Sequence, residues 1–245
     1  MFSAVPFIFG DLRLTFSMVA RCPKTQALGV VEATGSIATG SVVPHAEEGI
    51  GAIATQATTN VIHGINGLRL LKIGFDPKRV LQSTLVLDPD PRFRQILIID
   101  SQGRTAAHTG SKTRDWKGHI IGENYVAGAN SIRDPNGYSL PGHELVEAMI
   151  KTFEKLQENR PLHERLLLAI ESGGEVAREI GYVHKASALV VVGIEEEFRL
   201  FTRPFLNLRV DSSDHPIKDL RRVYESYLDM IVKRRQQPVH MRGFE

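Results

Sequence analysis

Thr15-Phe16-Ser17-Met18-Val19-Ala20-Arg21 is the stretch from which the fold is read. A strand turns successive side chains to opposite faces, so Thr15, Ser17, Val19 and Arg21 share one face and Phe16, Met18 and Ala20 the other. One face is wholly apolar; the other opens with two hydroxyls. Residues 28–37 and 50–57 continue the pattern as strands rich in Ala, Val and Ile and bounded by glycine. Two helices are expected next. Asn60 caps the first, whose Gly64 and Gly67 point to close packing against a neighbour. Asp76-Pro77 opens the second, which stops at Asp88-Pro-Asp-Pro91.

Residues 93–100 and 104–109 read as a hairpin across Ser101-Gln102-Gly103. Strand-like sequence returns over 116–132. An amphipathic helix is expected over 143–157, with Leu145, Val146, Met149, Ile150, Phe153 and Leu156 on one stripe. A short helix from Pro161 to Glu171, strands over 186–194 and 198–210, and a last helix from Pro216 complete the chain. This order is not the strict β-α alternation of a doubly wound parallel sheet. It fits an α+β fold: a four-layer α-β-β-α sandwich, two stacked antiparallel sheets flanked by helices.

Composition sets the function classes. The 245 residues carry 30 Lys plus Arg against 28 Asp plus Glu, a formal charge of +2, which argues against a dedicated nucleic-acid binder. The basic residues at Lys233-Arg234-Arg235 read as a solvated helix end. At 42% hydrophobic and 24% charged the composition is globular, and no apolar run approaches a membrane span. Cys22 is the only cysteine and follows no catalytic pattern, which fits a reducing, cytoplasmic setting. Residues 1–14 read as a greasy leader without a signal peptide's basic start. Residues 15–235 read as one domain and 236–245 as a tail.

Phosphate loops, HExxH, GxSxG and CxxC are absent from the sequence. The nine histidines show no mutual ligand spacing, and Asp211-Ser-Ser-Asp214-His215 reads as helix capping, so no metal and no organic cofactor is expected. Asp88 and Asp90 could form an acid/base pair, but the intervening prolines favour a helix-ending turn. Polar residues remain at strand ends beside glycines: Thr15 and Ser17, Thr55-Gln56, and Ala107-His108-Thr109-Gly110. Each could line a cleft or sit at an ordinary edge.

The chain resembles a bacterial family of largely uncharacterised proteins with the N-terminal-nucleophile (Ntn) hydrolase fold, whose members begin Met-Thr-Phe-Ser-Ile-Val-Ala-Arg. The residues that carry the resemblance are Thr15-Phe-Ser-Met-Val-Ala-Arg21, Gly40-Ser-Val-Val-Pro44, Gly49-Ile-Gly-Ala-Ile-Ala-Thr-Gln-Ala57, Ala106-Ala-His-Thr-Gly110, Gly128 to Asn130 and Leu208-Arg-Val-Asp211. The resemblance implies the same sandwich, with Thr15 as a nucleophile whose own α-amine, of ordinary pKa about 7.7–8.0, serves as base. Ser17 would orient that amine. Thr55, Gln56, His108 and Asn130 are implied as residues that line the cleft or hold the oxyanion.

The expected substrate is a small-molecule or peptide amide, with no nucleic-acid or membrane partner. Homo-oligomers are compatible, the apolar leader being one contact surface.

Two departures bear on this reading. Leu14 precedes Thr15, and an acylated nitrogen cannot act as a base. Residues 1–14 are then an artefact of a start codon misread upstream of Leu14 (the favoured account), a propeptide cut at Leu14–Thr15, or the mark of lost chemistry. In addition, Glu47 stands where relatives carry Arg, which reverses a charge expected near the site. The alternative is a non-catalytic binding or scaffold protein whose leader, with Phe2, Val5 and Phe7, fills the cleft. A metal-dependent hydrolase is a third and more distant reading.

Overall fold

A computed structural model describes residues 14–113, 116–132, 142–156, 160–193 and 205–236. Residues 1–13 and 237–245, and with them most of the expected leader and tail, lie outside the described residues, as do 198–204 of the last expected strand.

Among the described residues ten strands run in chain order as β1 (Thr15–Arg21), β2 (Leu28–Thr34), β3 (Pro44–Glu47), β4 (Gly51–Ala57), β5 (Arg94–Asp100), β6 (Thr105–Thr109), β7 (Trp116–Gly122), β8 (Tyr125–Ile132), β9 (Ala186–Val192) and β10 (Phe205–Val210). The helices are α1 (Ile62–Lys72), α2 (Pro77–Val86), α3 (Gly142–Lys155), α4 (Leu162–Glu179) and α5 (Pro216–Gln236). The fold is thus α+β, with a six-stranded sheet in the order β10-β9-β2-β1-β8-β7 and a four-stranded sheet in the order β3-β4-β5-β6. Every strand pairing is antiparallel.

Alternation along each strand builds the core in three parts. Val19, Leu28, Val30, Ala52, Ala54, Leu97 and Ile99 pack together between the sheets. Phe16, Met18, Val31, Ala33, Ala127 and Leu189 turn the other way, onto Leu145, Met149, Leu166 and Leu220 of α3, α4 and α5. On the outer side of the four-stranded sheet, Ile53, Ile96 and Ile98 meet Leu71 and Val80 of α1 and α2.

The caps follow local chemistry. The Asp76 side chain accepts from the Lys78 and Arg79 N–H groups with Pro77 in the first turn, as the sequence implies. The expected Asn60 cap lies one residue early: Val61 is the residue before α1 and makes no side-chain cap, while Asn60 accepts from the Ile62 N–H at 3.2 Å. Before α5, Ser213 accepts from the His215 N–H and donates to Asp219 at 2.5 Å. Close approach explains Gly64 and Gly67: a Cβ at Gly64 would lie 2.2 Å from the His45 ring, and one at Gly67 2.5 Å from Ile53.

Two expectations need correction. The helix expected to end at Glu171 continues to Glu179, through Gly173 and Gly174. A glycine pair costs about 2 kcal/mol of helix propensity, but packing requires it here, since a Cβ would lie 2.8 Å from Met149 at Gly173 and 2.5 Å from Ile217 at Gly174. The other correction is β3, a strand not anticipated from sequence. Its alternation sends Glu47 outward to Lys72 of α1 at 2.6 Å, away from the space between the sheets. No helix among the described residues is long and apolar enough to cross a membrane.

Candidate functional site

Thr15 begins β1, an interior strand of the six-stranded sheet, paired with Thr34 on β2 and Asn130 on β8. Two residues on, Ser17 is paired with Glu32 and Gly128. Because Val19, Leu28, Val30 and Val126 lie between the sheets, the same alternation places Thr15, Ser17, Glu32, Thr34 and Asn130 on that inner face. All five are buried, Thr15 at 7% exposure and Ser17 and Glu32 at 0%. Gly128 leaves room opposite Ser17 for Leu97 of the other sheet, whose Cδ2 would lie 3.1 Å from an added Cβ.

The Thr15 hydroxyl lies 2.9 Å from the Thr34 hydroxyl, which also accepts from the Ser36 N–H at 3.2 Å. This contact orients Thr15 Oγ1, but a hydroxyl supplies no base. The titratable group on this face nearest in register is Glu32. Burial pushes its carboxyl up to about 8, against a hydrogen bond from Thr39 that favours ionisation, with Asp211 adding repulsion. Glu32 is therefore uncharged near neutrality and able to exchange a proton in the range where acid–base catalysts work. Its second oxygen and the Ser17 hydroxyl have no hydrogen-bond partner among the described residues. Each such buried polar atom costs about 1–3 kcal/mol, so two that share one face call for an explanation.

A chain of amides ties the four-stranded sheet to this face. Gln95 on β5 accepts at Oε1 from Gln56 at 2.5 Å and from Asn130 at 3.0 Å. Its Nε2 donates to Thr109 at 2.9 Å and to the Gly118 and Ala129 carbonyls at 3.0 and 3.1 Å. Thr109 in turn lies 2.8 Å from Nδ1 of His119, an imidazole kept neutral by burial and by nearby His108. Gln95→Leu keeps the volume but strands the Gln56 and Asn130 donors between the sheets. The expected loss is about 2–4 kcal/mol, read as a lower urea midpoint with unchanged slope.

Of the residues singled out in the sequence, Thr15, Ser17, Gln56 and Asn130 share the inner face. Thr55 and His108 do not. Thr55 donates outward to the Asn60 carbonyl at 3.3 Å, and His108 Nε2 lies 2.9 Å from the Pro91 carbonyl on the α2 side. Adjacent strand residues cannot face one cleft, so choosing Gln56 excludes Thr55, and Thr109 excludes His108. Glu32, Thr34, Gln95 and His119 were not singled out. A lone Glu within Leu28–Thr34 and a Gln just before the Ile-rich run of β5 were the signals available.

Two cavities lie elsewhere. One of about 460 Å³ is lined by α4, α5 and His184, and another of about 320 Å³ by α1 and α2; Thr15 lines neither. The buried hydroxyls and carboxyl, not cavity size, therefore locate the candidate site.

No curated protein is matched by this chain. Among solved structures it is similar to the crystal structure of protein SPO2555 from Silicibacter pomeroyi, at 27% identity and a TM-score of 0.73, over 87% of this chain and 85% of that one. The family model for that protein, DUF1028, also matches residues 15–220 here, a span that starts at Thr15 and takes in every residue of the inner-face cluster. By that match the chain belongs to DUF1028, a family of unknown function.

Proposed function

We propose that this protein is an amidohydrolase of the N-terminal-nucleophile type, a four-layer α-β-β-α sandwich in which Thr15 is the nucleophile once its α-amine is free. One observation carries the reading. Thr15 is the first residue of an interior strand, and its hydroxyl is oriented on the inner face beside Ser17, Glu32 and Asn130.

In the proposed mechanism the free α-amine takes the Thr15 hydroxyl proton as Oγ1 bonds to the amide carbonyl carbon. The ammonium then protonates the departing nitrogen, leaving an acyl ester on Thr15. Water, deprotonated by the same amine, attacks the ester, and Thr15 regains its proton as the acid departs. The Gln56 and Asn130 amides each give one N–H to Gln95 and retain a second, in reach of the role of oxyanion donor. Ser17 and the uncharged Glu32 hold the amine's surroundings.

A second reading has its own observation. Leu14 is fully buried in the helix-side core, and its carbonyl accepts from the Gly35 N–H at 2.9 Å. Removing a leucine from such a position costs about 2–5 kcal/mol by comparison with Leu→Ala substitutions. This favours a binding or scaffold protein that keeps Leu14 and has no free amine at Thr15.

Intact mass and N-terminal sequencing of the protein made from its native gene separate the two. The hydrolase reading expects a chain beginning at Thr15. A mature chain that retains Leu14 removes the base and leaves the binding reading.

A further inference from the structure

We infer that His119 is a positioning residue for the site at Thr15, setting the orientation of the Gln56 and Asn130 amides through Thr109 and Gln95. Its bearing on catalysis rests on the hydrolase reading; its hold on the amides does not.

The edge strands of the two sheets, β6 and β7, meet beside the inner face. Thr109 Oγ1 and His119 Nδ1, on partly exposed residues, lie 2.8 Å apart there. Gln95, Gln56 and Asn130 behind them are buried. The Gly118 and Ala129 carbonyls can only accept, so they fix the NH₂ end of the Gln95 amide on their side and leave Oε1 for Gln56 and Asn130. An amide nitrogen cannot accept, so Thr109 keeps its hydroxyl proton from Gln95 and offers that amide a lone pair at 2.9 Å. Among the described residues the acceptor left for the Thr109 proton is His119 Nδ1. Neutral His119 then carries its own proton on Nε2.

Protonating His119 reverses this contact. Nδ1–H donates to Thr109, whose oxygen then meets hydrogens from two sides while its own proton loses its acceptor. Three acceptors already share the two Gln95 Nε2 hydrogens, and the Thr109 contact is the one that yields. The planar amide turns toward β7 and β8, and Oε1, the acceptor shared by Gln56 and Asn130, moves with it.

Burial and His108 of β6 both disfavour the imidazolium and place its titration below histidine's ordinary range. The other charged groups around it are engaged elsewhere. Lys117 of β7 donates to the Thr113 carbonyl, Arg94 of β5 to Asp88, and Tyr125 of β8 to Glu154. Glu32, at the far end of the row Glu32–Ser17–Gly128–His119, titrates near about 8 and so in a separate window.

The test is a pH titration of the ¹⁵N-labelled full chain by NMR, following the His119 ring nitrogens and the side-chain amides of Gln56, Gln95 and Asn130. Above its midpoint, His119 Nδ1 is expected to resonate as an unprotonated nitrogen, and the three amides should shift with the His119 midpoint. Thr109→Val, which keeps the volume and removes the hydroxyl, should abolish that coupled shift; Thr109→Ser should restore it. Amides that ignore the His119 titration, or coupling that survives in Thr109→Val, overturn the inference. In the mature protein Thr109→Val should also lower kcat for an amide by up to about 10²-fold with little change in KM. Coupled shifts with an unchanged kcat overturn the positioning role. Coupled shifts in a parent protein without amide turnover count against the hydrolase reading alone and support the hold of His119 on the amides.

Discussion

Thr15→Ala is expected to reduce amide hydrolysis by roughly 10⁴-fold or more while the protein stays folded, because a nucleophile and everything that activates it act as a unit. The side chain makes one described hydrogen bond, to Thr34, and Thr34 keeps its contact with the Ser36 N–H. The stability cost is therefore about 0.5–1.5 kcal/mol. The comparison must use chains whose N-terminus is position 15, so that the α-amine is present in both. Under those conditions Thr15→Ser should retain measurable turnover and accumulate an acyl-enzyme of the expected mass. Full activity in Thr15→Ala would falsify the nucleophile assignment. Activity at Thr15 in a chain that still carries Leu14 would separate the hydroxyl from the amine, and Glu32 would then be the base to examine.

Glu32→Gln should stabilise the protein at alkaline pH. The sign follows from the two states of the chain. Below about 4.5 the carboxyl is protonated whether the chain is folded or unfolded, and the group contributes no pH dependence. Above that, the unfolded chain ionises while folded Glu32 holds its proton until about 8. Native stability from this group is thus fully present at low pH and falls by about 1.4 kcal/mol per pH unit across the window, of the order of 5 kcal/mol in all. Glutamine preserves the acceptor for Thr39 and cannot ionise. The variant's urea midpoint should rise relative to the parent's between pH 5 and pH 8, by an amount equivalent to a few kcal/mol. Parallel profiles for the two proteins would show that Glu32 does not titrate out of its usual range. Burial of Glu32 opposite Ser17 thus costs stability at working pH, a pattern found most often at functional sites.

Both predictions start from β1 and β2, where alternation in the sequence and the position of each side chain agree residue by residue. Thr15, Ser17 and Val19 face inward and Phe16 and Met18 outward, as period-two geometry requires. The Asp76 cap and the β5–β6 hairpin were also legible, since each depends on residues close in sequence; Gly64 and Gly67 were legible as packing glycines, but not the His45 and Ile53 they meet. Half the proposed cleft was not. Thr55 and His108 were read by their place at strand ends, when their parity already assigned them to the other face. Asp88 was read as a turn residue. It is one, accepting from the Asp90 N–H, but it also gathers Asn60 and His63 from the start of α1 and Arg94 from the start of β5.

By itself, then, the sequence determined which side chains share a face and where helices begin, because strand parity and capping are set by covalent geometry and near neighbours. Tertiary packing alone decided what each face meets. It encloses Glu32 between two sheets and raises its affinity for a proton, while giving Asp88 enough donors to remain a carboxylate. Two acidic residues of similar ordinary acidity end as one carboxyl that holds its proton and one fixed charge, and the difference lies in solvation and partners that no local pattern encodes.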